Sequence, residues 1–300
     1  MKNLNLLFNK TYYEKIGDSF SNNNFVESLK KNNKELFGTV FCHDVDYKAS
    51  KVANEKFLLK TVYPGLLIGT GNPHGSRQSD QDINQGFSFD YVTGQPYIPG
   101  SSVKGVLRSH FKRHSEAIAS ILEIDVSEVQ KLETEIFDGN DVFLDAVVYS
   151  GDAKGHLISS DYITPHPTAT RNPVPIFFIK VLPDVRFEFR FLLQHSENIS
   201  TERKRNLFKM LLEFFGIGAK TNVGYGILEE CDEKIDPVKC VSMITASDEN
   251  KGSKYSEKAN NDYVVCTKCG KKNYKYKKDT NIVNKSWINK ACFVCGEKLK

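Results

Sequence analysis

Apolar positions along the chain change their period several times, and each change marks an element. "KFLLKTVYPGLLIG" (56–69) and "GFSFDYV" (86–92) hold aliphatic and aromatic residues between turn formers and predict extended segments. "SSVKGVLRSHFKRHSEAIASIL" (101–122) switches to a helical period: Val103, Val106, Leu107 and Phe111 share one face, and the serines open the helix. "VFLDAVVYS" (142–150) and "HLISSDYI" (156–163) read as strands again. "PIFFIKVLPDVRFEFRFLLQ" (175–194) reads as a hairpin around "LPD", its second arm alternating Val185, Phe187, Phe189 and Phe191 with charged residues. "STERKRNLFKMLLEFFG" (200–216) is a helix capped by Ser200 or Thr201 and stopped at Gly216. A glycine-rich loop, "GIGAKTNVGYG" (216–226), and a last strand, "YGILEE" (225–230), follow. The order reduces to strand, helix, paired strands, helix, strand. That is an α+β, ferredoxin-like (RRM-like) core with insertions, spanning 57–231.

The flanks differ from this core. Residues 1–56 are polar and asparagine-rich, with a weak helical period in "NNNFVESLKKNNKELF"; they predict a peripheral segment packing on something larger. Residues 232–262 lose apolar content, and "ASDENKGSKYSEKANND" holds no aliphatic larger than alanine, the composition of a linker. Residues 263–300 form a separate small unit.

Charge follows the same division. The formal net charge is only +4, but residues 251–300 hold 13 lysines against 4 acids, whereas the first 250 residues hold 28 basic and 33 acidic groups. The tail is basic and the body is not. No apolar run has the length of a signal peptide's core or of a membrane span. The chain has seven cysteines, four of them in two CxxC pairs. An odd count with three scattered thiols suits a reducing cytosol better than a disulfide framework, so a cytoplasmic location is expected.

The four paired cysteines are Cys266, Cys269, Cys292 and Cys295, in the order CxxC–x22–CxxC. Two thiolates three residues apart reach one metal from a tight turn, and four close a tetrahedral zinc site with no open position. A redox pair needs one CxxC and a βαβ setting, so a structural Zn2+ in a zinc ribbon is the expectation. A unit under forty residues needs such a staple to fold. Its lysines, with Tyr274, Tyr276 and Trp287, leave two readings open: a surface for RNA or a partner, and a solubilising shell around a tiny core.

The glycine loop admits three chemical readings besides a turn made only for packing. "GAKT" imitates a Walker A loop, but the GxxxxGK[ST] spacing is missing and a helix, not a strand, precedes it. A Rossmann fingerprint fails too, since no helix follows. The third reading is a loop whose amides, with Lys220 and Thr221, hold a phosphate backbone. A second stretch points the same way. "YIPGSSVKGVLRSHFKRH" (97–114) leads a proline–glycine turn into a helix whose first-turn amides favour anions. Lys104, Arg108 and Lys112, four apart, line one face of it.

Together "IPGSSVKGVLRS" (98–109) and "GIGAKTNVGYG" (216–226) resemble the helix-opening motif and the C-terminal glycine-rich loop of the RAMP superfamily of CRISPR ribonucleoproteins. "NLNLLFNKTYY" (3–13), "GTGNPH" (69–74), "TGQPYIPGSS" (93–102) and "DYITPH" (161–166) narrow the resemblance to subunits of Cmr, or type III-B, effector complexes, over roughly residues 3–230. The zinc ribbon is a departure from that pattern. The resemblance implies a non-catalytic part that assembles along CRISPR guide RNA, contacts target RNA and other Cmr-type subunits, and caps the filament toward the guide's 3′ end. It implies that Ser101, Ser102, Lys104, Arg108 and Lys112, with Gly218, Lys220, Thr221 and Asn222, face RNA or a neighbouring subunit.

Some relatives in the superfamily cut precursor CRISPR RNA with a histidine as general acid or base. His74 in "GNPHGS" and His166 in "TPHP" are the loop histidines that fit such a role. A loop histidine beside proline is more often a packing element, and Asp138, Asp141, Asp145 and Asp161 form no paired-carboxylate or metal pattern. The expectation is therefore no enzyme, with a processing endoribonuclease and a nucleotide-binding switch as the rival classes.

Overall fold

The computed structural model describes residues 3–14, 25–41, 52–69, 82–83, 85–164 and 175–231, and the backbone of two short strands at 263–265 and 272–274. The chain divides into two compact units, Met1–Ser242 and Met243–Lys300.

The larger unit is a mixed helix and sheet fold around an antiparallel sheet. In chain order its elements are α1 (Leu4–Leu6), α2 (Tyr12–Glu14), α3 (Phe25–Phe37), β1 (Glu55–Thr61), β2 (Tyr97–Ile98), α4 (Gly100–Arg113), α5 (Ser115–Leu122) and α6 (Val126–Phe137). Then come β3 (Val142–Phe143), β4 (Ala146–Ser150), β5 (Ile158–Ile163), β6 (Ile176–Val181), β7 (Arg186–Leu192), α7 (Thr201–Phe215) and β8 (Leu228–Glu230). The main sheet runs β2-β4-β7-β1-β8, every pairing antiparallel, with β3 added against β7.

The alternation in β7 explains how the sheet is buried. Phe187, Phe189 and Phe191 are fully buried, while Arg186, Glu188 and Arg190 between them stay partly exposed. Phe57 of β1 stacks on Phe189 at 5.4 Å, and Phe191 meets Phe143 and Phe208 at 5.7 and 5.5 Å. Each such side chain taken from water contributes roughly 1.5–3 kcal/mol. From the helices, Val103, Leu107 and Phe111 of α4 and Leu207, Phe208, Leu211 and Leu212 of α7 complete this core. The N-terminal segment joins the same core through Phe8, Tyr12, Leu29 and Leu36. Its asparagines serve it: Asn32 and Asn33 are buried and hydrogen-bond the carbonyl and hydroxyl of Tyr12.

Several expectations from the sequence are corrected. The two arms of 175–194 do not pair with each other. Asp184 turns the chain at φ 64°, its N–H donates to the Thr61 carbonyl, and Thr61 Oγ1 accepts from Val185 N at 3.1 Å. Thr61 thus draws the turn against β1, and β6 leaves to pair with β5 from Ile158↔Val181 to Ile163↔Ile176. Phe177, Phe178 and Ile179 are buried consecutively, as a strand covered on both faces requires. Residues 86–92 form no ladder beyond a single bridge, Phe89↔Pro96. Asp90 accepts from Thr93 N at 2.6 Å and folds the segment into a turn instead. The long helix at 101–122 breaks at His114 (φ −129°, ψ 37°), which separates α4 from α5. Helix α6 is an addition to the sequence reading, although Val129, Leu132 and Ile136 in "VSEVQKLETEIF" keep a helical period.

Candidate nucleic-acid interface

Helix α7 delivers the glycine loop. Ser200 caps it, accepting from Arg203 N at 3.2 Å, and Gly216 ends it at φ 70°. From there the four glycines divide into two tasks. Gly216 and Gly226 lie against each other's strand of the loop: Ile217 N donates to Gly226 O at 2.9 Å, and a Cβ on Gly226 would collide with Ile217 O. Gly218 (φ 92°) presses on the Leu67 carbonyl, where a Cβ would stand 2.5 Å away. Only Gly224 has room for a Cβ, which would meet Pro64 Cδ at an ordinary 3.7 Å, and its φ of 93° is what requires glycine there.

Between these anchors residues 218–223 are exposed. Lys220 takes the left-handed conformation (φ 60°), and Thr221–Val223 make one 3-10 turn. Val223 N and Gly224 N are satisfied inside that turn. The N–H groups of Lys220, Thr221 and Asn222, and their side chains, have no partner among the described residues. Of the four loop residues expected to face RNA or a neighbour, Gly218, Lys220, Thr221 and Asn222, the last three combine an unengaged N–H with an unengaged polar side chain among the described residues.

The loop is braced on one side by the turn after β1. Gly226 N donates to Gly65 O at 2.8 Å, Val62 N to Ile227 O at 3.0 Å, and Ala219 N to Leu67 O at 3.0 Å. A polar cluster fixes the other side: Asp161 Oδ2 accepts from Lys180 Nζ at 2.6 Å and from Tyr225 OH at 2.8 Å, and Oδ1 accepts from Tyr162 N. Burial alone would raise the Asp161 carboxyl, but these hydrogen bonds hold it below its ordinary range. Burial and the adjacent carboxylate raise the Tyr225 hydroxyl.

The N-terminus of α4 differs from its sequence reading. Pro99, not a serine, occupies the cap position, and Asp145 Oδ1 accepts from Gly100 N at 2.7 Å. Ser102 N turns back to Pro99 O, so Ser101 and Ser102 are exposed first-turn residues beside an anion already supplied by the protein. The basic stripe is also largely engaged. Arg108 donates through Nε to Glu133 at 2.8 Å and through both terminal nitrogens to Asp138 at 2.8 and 2.7 Å, tying α4 to α6. Lys112 lies 3.7 Å from the same Glu133, and Lys104 sits 5.7 Å over the Phe143 ring. Of the three cations only Lys104 has no carboxylate partner among the described residues.

The two motifs do not form one site. His110 and His114, at the far end of α4, stack on Phe215 at 4.5 and 4.0 Å, directly before the glycine loop. Ser101 and Ser102 stand at the opposite end, about 12–20 Å away along the axis at 1.5 Å rise per residue. The aspartates are structural as well: Asp138 holds Arg108, Asp145 caps α4, Asp161 anchors Tyr225, and buried Asp141 pairs with buried Lys204 at 2.7 Å. Among the described residues no group of three or more His, Cys, Asp or Glu converges as a metal site. His74, His166 and the four paired cysteines lie outside the described residues, as does the linker at 232–262. Strands β9 (Tyr263–Val265) and β10 (Lys272–Tyr274) are described, and they pair antiparallel with Val265 opposite Lys272. They therefore bracket the sequence "CTKCGK".

Comparison with known proteins identifies the class. The model of the RAMP superfamily matches residues 58–229, and the chain belongs to that superfamily. Within it, the chain is 31% identical over 175 residues to the CRISPR system Cmr subunit Cmr6 of Saccharolobus solfataricus, covering 56% of this chain and 55% of the relative. It is 26% identical over 201 residues to Cmr6 of Pyrococcus furiosus, covering 46% and 58%. The chain thus spans little more than half the length of the curated relatives it matches. Among solved structures it is similar to a chain of the type III-B Cmr-beta complex bound to cognate target RNA (22% identity, 75% and 72% coverage, TM-score 0.45). It is also similar to crystalline Cmr6 of Pyrococcus furiosus (24% identity, 59% and 97% coverage, TM-score 0.39). Among the described residues no helix is long and apolar enough to cross a membrane.

Proposed function

We propose that this chain is a non-catalytic structural subunit of a type III-B CRISPR effector ribonucleoprotein, working in the cytoplasm. It binds the guide RNA, lies against target RNA and other Cmr-type subunits, and caps the filament toward the guide's 3′ end. Its body is a ferredoxin-like core, a reading supported by the strand order β4-β7-β1-β8 with α4 and α7 as the two crossing helices. The observation that carries the RNA reading is the exposed stretch Lys220–Thr221–Asn222, without a partner among the described residues, on a firmly braced loop. Backbone amides, a cation and two neutral polar groups suit a phosphodiester and carry no base specificity. The guide supplies specificity by pairing. Ser101, Ser102 and Lys104 form a second contact, to RNA or a neighbour, at the other end of α4. Arg108 and Lys112 support that surface through Glu133.

For the tail we propose a structural Zn2+ held by Cys266, Cys269, Cys292 and Cys295. The antiparallel register around 266–271 supports it, because a hairpin is the local structure from which a CxxC pair reaches one ion. The ion supplies folding free energy and no reaction chemistry.

Purification from the native host tests the assignment. Copurification with RNA of guide length and with other effector subunits is expected. Site-specific cleavage of repeat RNA by the pure chain, without added metal, would overturn the non-catalytic reading in favour of a processing endoribonuclease.

A further inference from the structure

We propose that Tyr63 is a stacking platform for one base of single-stranded RNA, set beside the loop that holds the phosphate. The inference rests on the RNA-binding reading above. Tyr63 is 79% exposed, and a lone exposed tyrosine means little by itself. Its surroundings are what distinguish it. The turn that carries it is bonded to the glycine loop on both sides, through Val62 N to Ile227 O and Gly65 O to Gly226 N. Next to it, the Pro64 ring lies at van der Waals distance from Gly224, where a Cβ would be 3.7 Å from Cδ. A cation also lies beside the ring. Lys180 Nζ sits 5.9 Å from its centroid, and that lysine is fixed by Asp161 at 2.6 Å and is only 12% exposed in its side chain.

An aromatic ring on a braced turn, with a lysine at one side and most of its surface in water, is poised to stack. Base–aromatic stacking tolerates any sequence, which is what a subunit that follows an arbitrary guide requires. The charge nearby favours nucleic acid over an acidic or neutral protein surface. Lys220 is a cation with no carboxylate partner among the described residues, and Asp161, the carboxylate of the cluster, is neutralised by Lys180 and donated to by Tyr225. Asp161 and Lys180 therefore act as positioning residues for the platform.

The test is titration of the full-length chain with a single-stranded oligoribonucleotide across a salt series. Tyr63→Ala is expected to weaken binding about 5- to 150-fold, the effect of losing one stacked base. The salt slope should be unchanged, because stacking releases no counterions, while Lys220→Ala should lower the slope by about 0.7. Tyr63→Phe and Tyr63→Trp should bind like wild type, and the thermal midpoint of Tyr63→Ala should not move, since the ring is exposed. Wild-type affinity in Tyr63→Ala, with the slope loss intact in Lys220→Ala, overturns the platform and leaves the RNA reading standing. Absence of RNA binding by the wild-type chain overturns both. Loss of subunit occupancy in a reconstituted complex without any change in RNA affinity assigns Tyr63 to a protein contact and overturns the proposal.

Discussion

The buried pair Lys204–Asp141 offers the sharpest test of what holds the body together. The two side chains are 2% and 1% exposed, with Nζ and Oδ2 2.7 Å apart. Lys204 Nζ also donates to Gln194 O at 2.9 Å, and Asp141 Oδ1 accepts from Gln194 N at 2.6 Å. One ion pair thus ties the first turn of α7 to the approach to β3 and the exit from β7. Lys204→Met keeps most of the stem volume but strands a buried carboxylate and a buried carbonyl. Removing one partner of a buried pair costs about 3–5 kcal/mol. At about 2–4 °C per kcal/mol for a body of this size, the midpoint should fall by roughly 6–20 °C. In the double variant Lys204→Met/Asp141→Asn no charge is stranded, and the new side-chain amide retains an acceptor for Gln194 N. It should recover more than half of the loss, a coupling of about 2 kcal/mol or more. Urea unfolding followed by far-UV circular dichroism reads the body, because the single tryptophan, Trp287, lies in the tail. A loss below about 1 kcal/mol for Lys204→Met, or simple additivity in the double variant, would refute the reasoning.

Other perturbations separate structure from binding. Arg108→Ala should lower the thermal midpoint, and Arg108→Lys should not restore it, because an ammonium cannot bridge Glu133 and both oxygens of Asp138. Native protein should contain one tightly bound zinc per chain, and chelation should change Trp287 emission while leaving the body's circular dichroism intact; metal-free protein purified without chelators would sink the assignment. Burial, helped by His114 and Arg113, lowers His110 to about 4 from its ordinary 6.5. Its folded value lies below its unfolded one, so its contribution is complete above pH 6.5 and is lost as pH falls toward 4. Midpoints measured across that window should flatten in His110→Phe, which preserves the stack on Phe215.

Local periodicity was legible where one face of an element decides its burial. The alternation of Phe187, Phe189 and Phe191 with charges placed β7 correctly, and Ser200 and Gly216 bounded α7 as their capping chemistry requires. What escaped were choices made by distant residues. Nothing in "VLPDV" announces that Thr61, more than a hundred residues earlier, takes the turn and parts β6 from β7. The stripe Lys104–Arg108–Lys112 reads as a binding face because its neutralising acids sit on α6. The helical period of α6 was itself available in the sequence. The serines of "PGSS" look like caps because short polar side chains usually are; the true acceptor, Asp145, is 45 residues away.

The glycine loop shows how the same residues can be right for a reason other than the one first given. In the sequence, four glycines read as room for a phosphate. Three of them make room for protein instead: Gly216 and Gly226 for each other, Gly218 for the Leu67 carbonyl. A valine at Gly218 would disrupt assembly even in a protein that never touched RNA, because it would push the loop off the Leu66–Leu67 segment. Glycine substitutions there test the fold. The phosphate reading is tested at Lys220, Thr221 and Asn222, whose side chains hold nothing among the described residues and whose loss should leave the midpoint where it was. A loop braced this tightly through its own glycines has its three exposed amides ordered before any ligand arrives. The entropy of ordering them is then met in folding rather than in binding, which is the arrangement the proposed RNA-holding role needs.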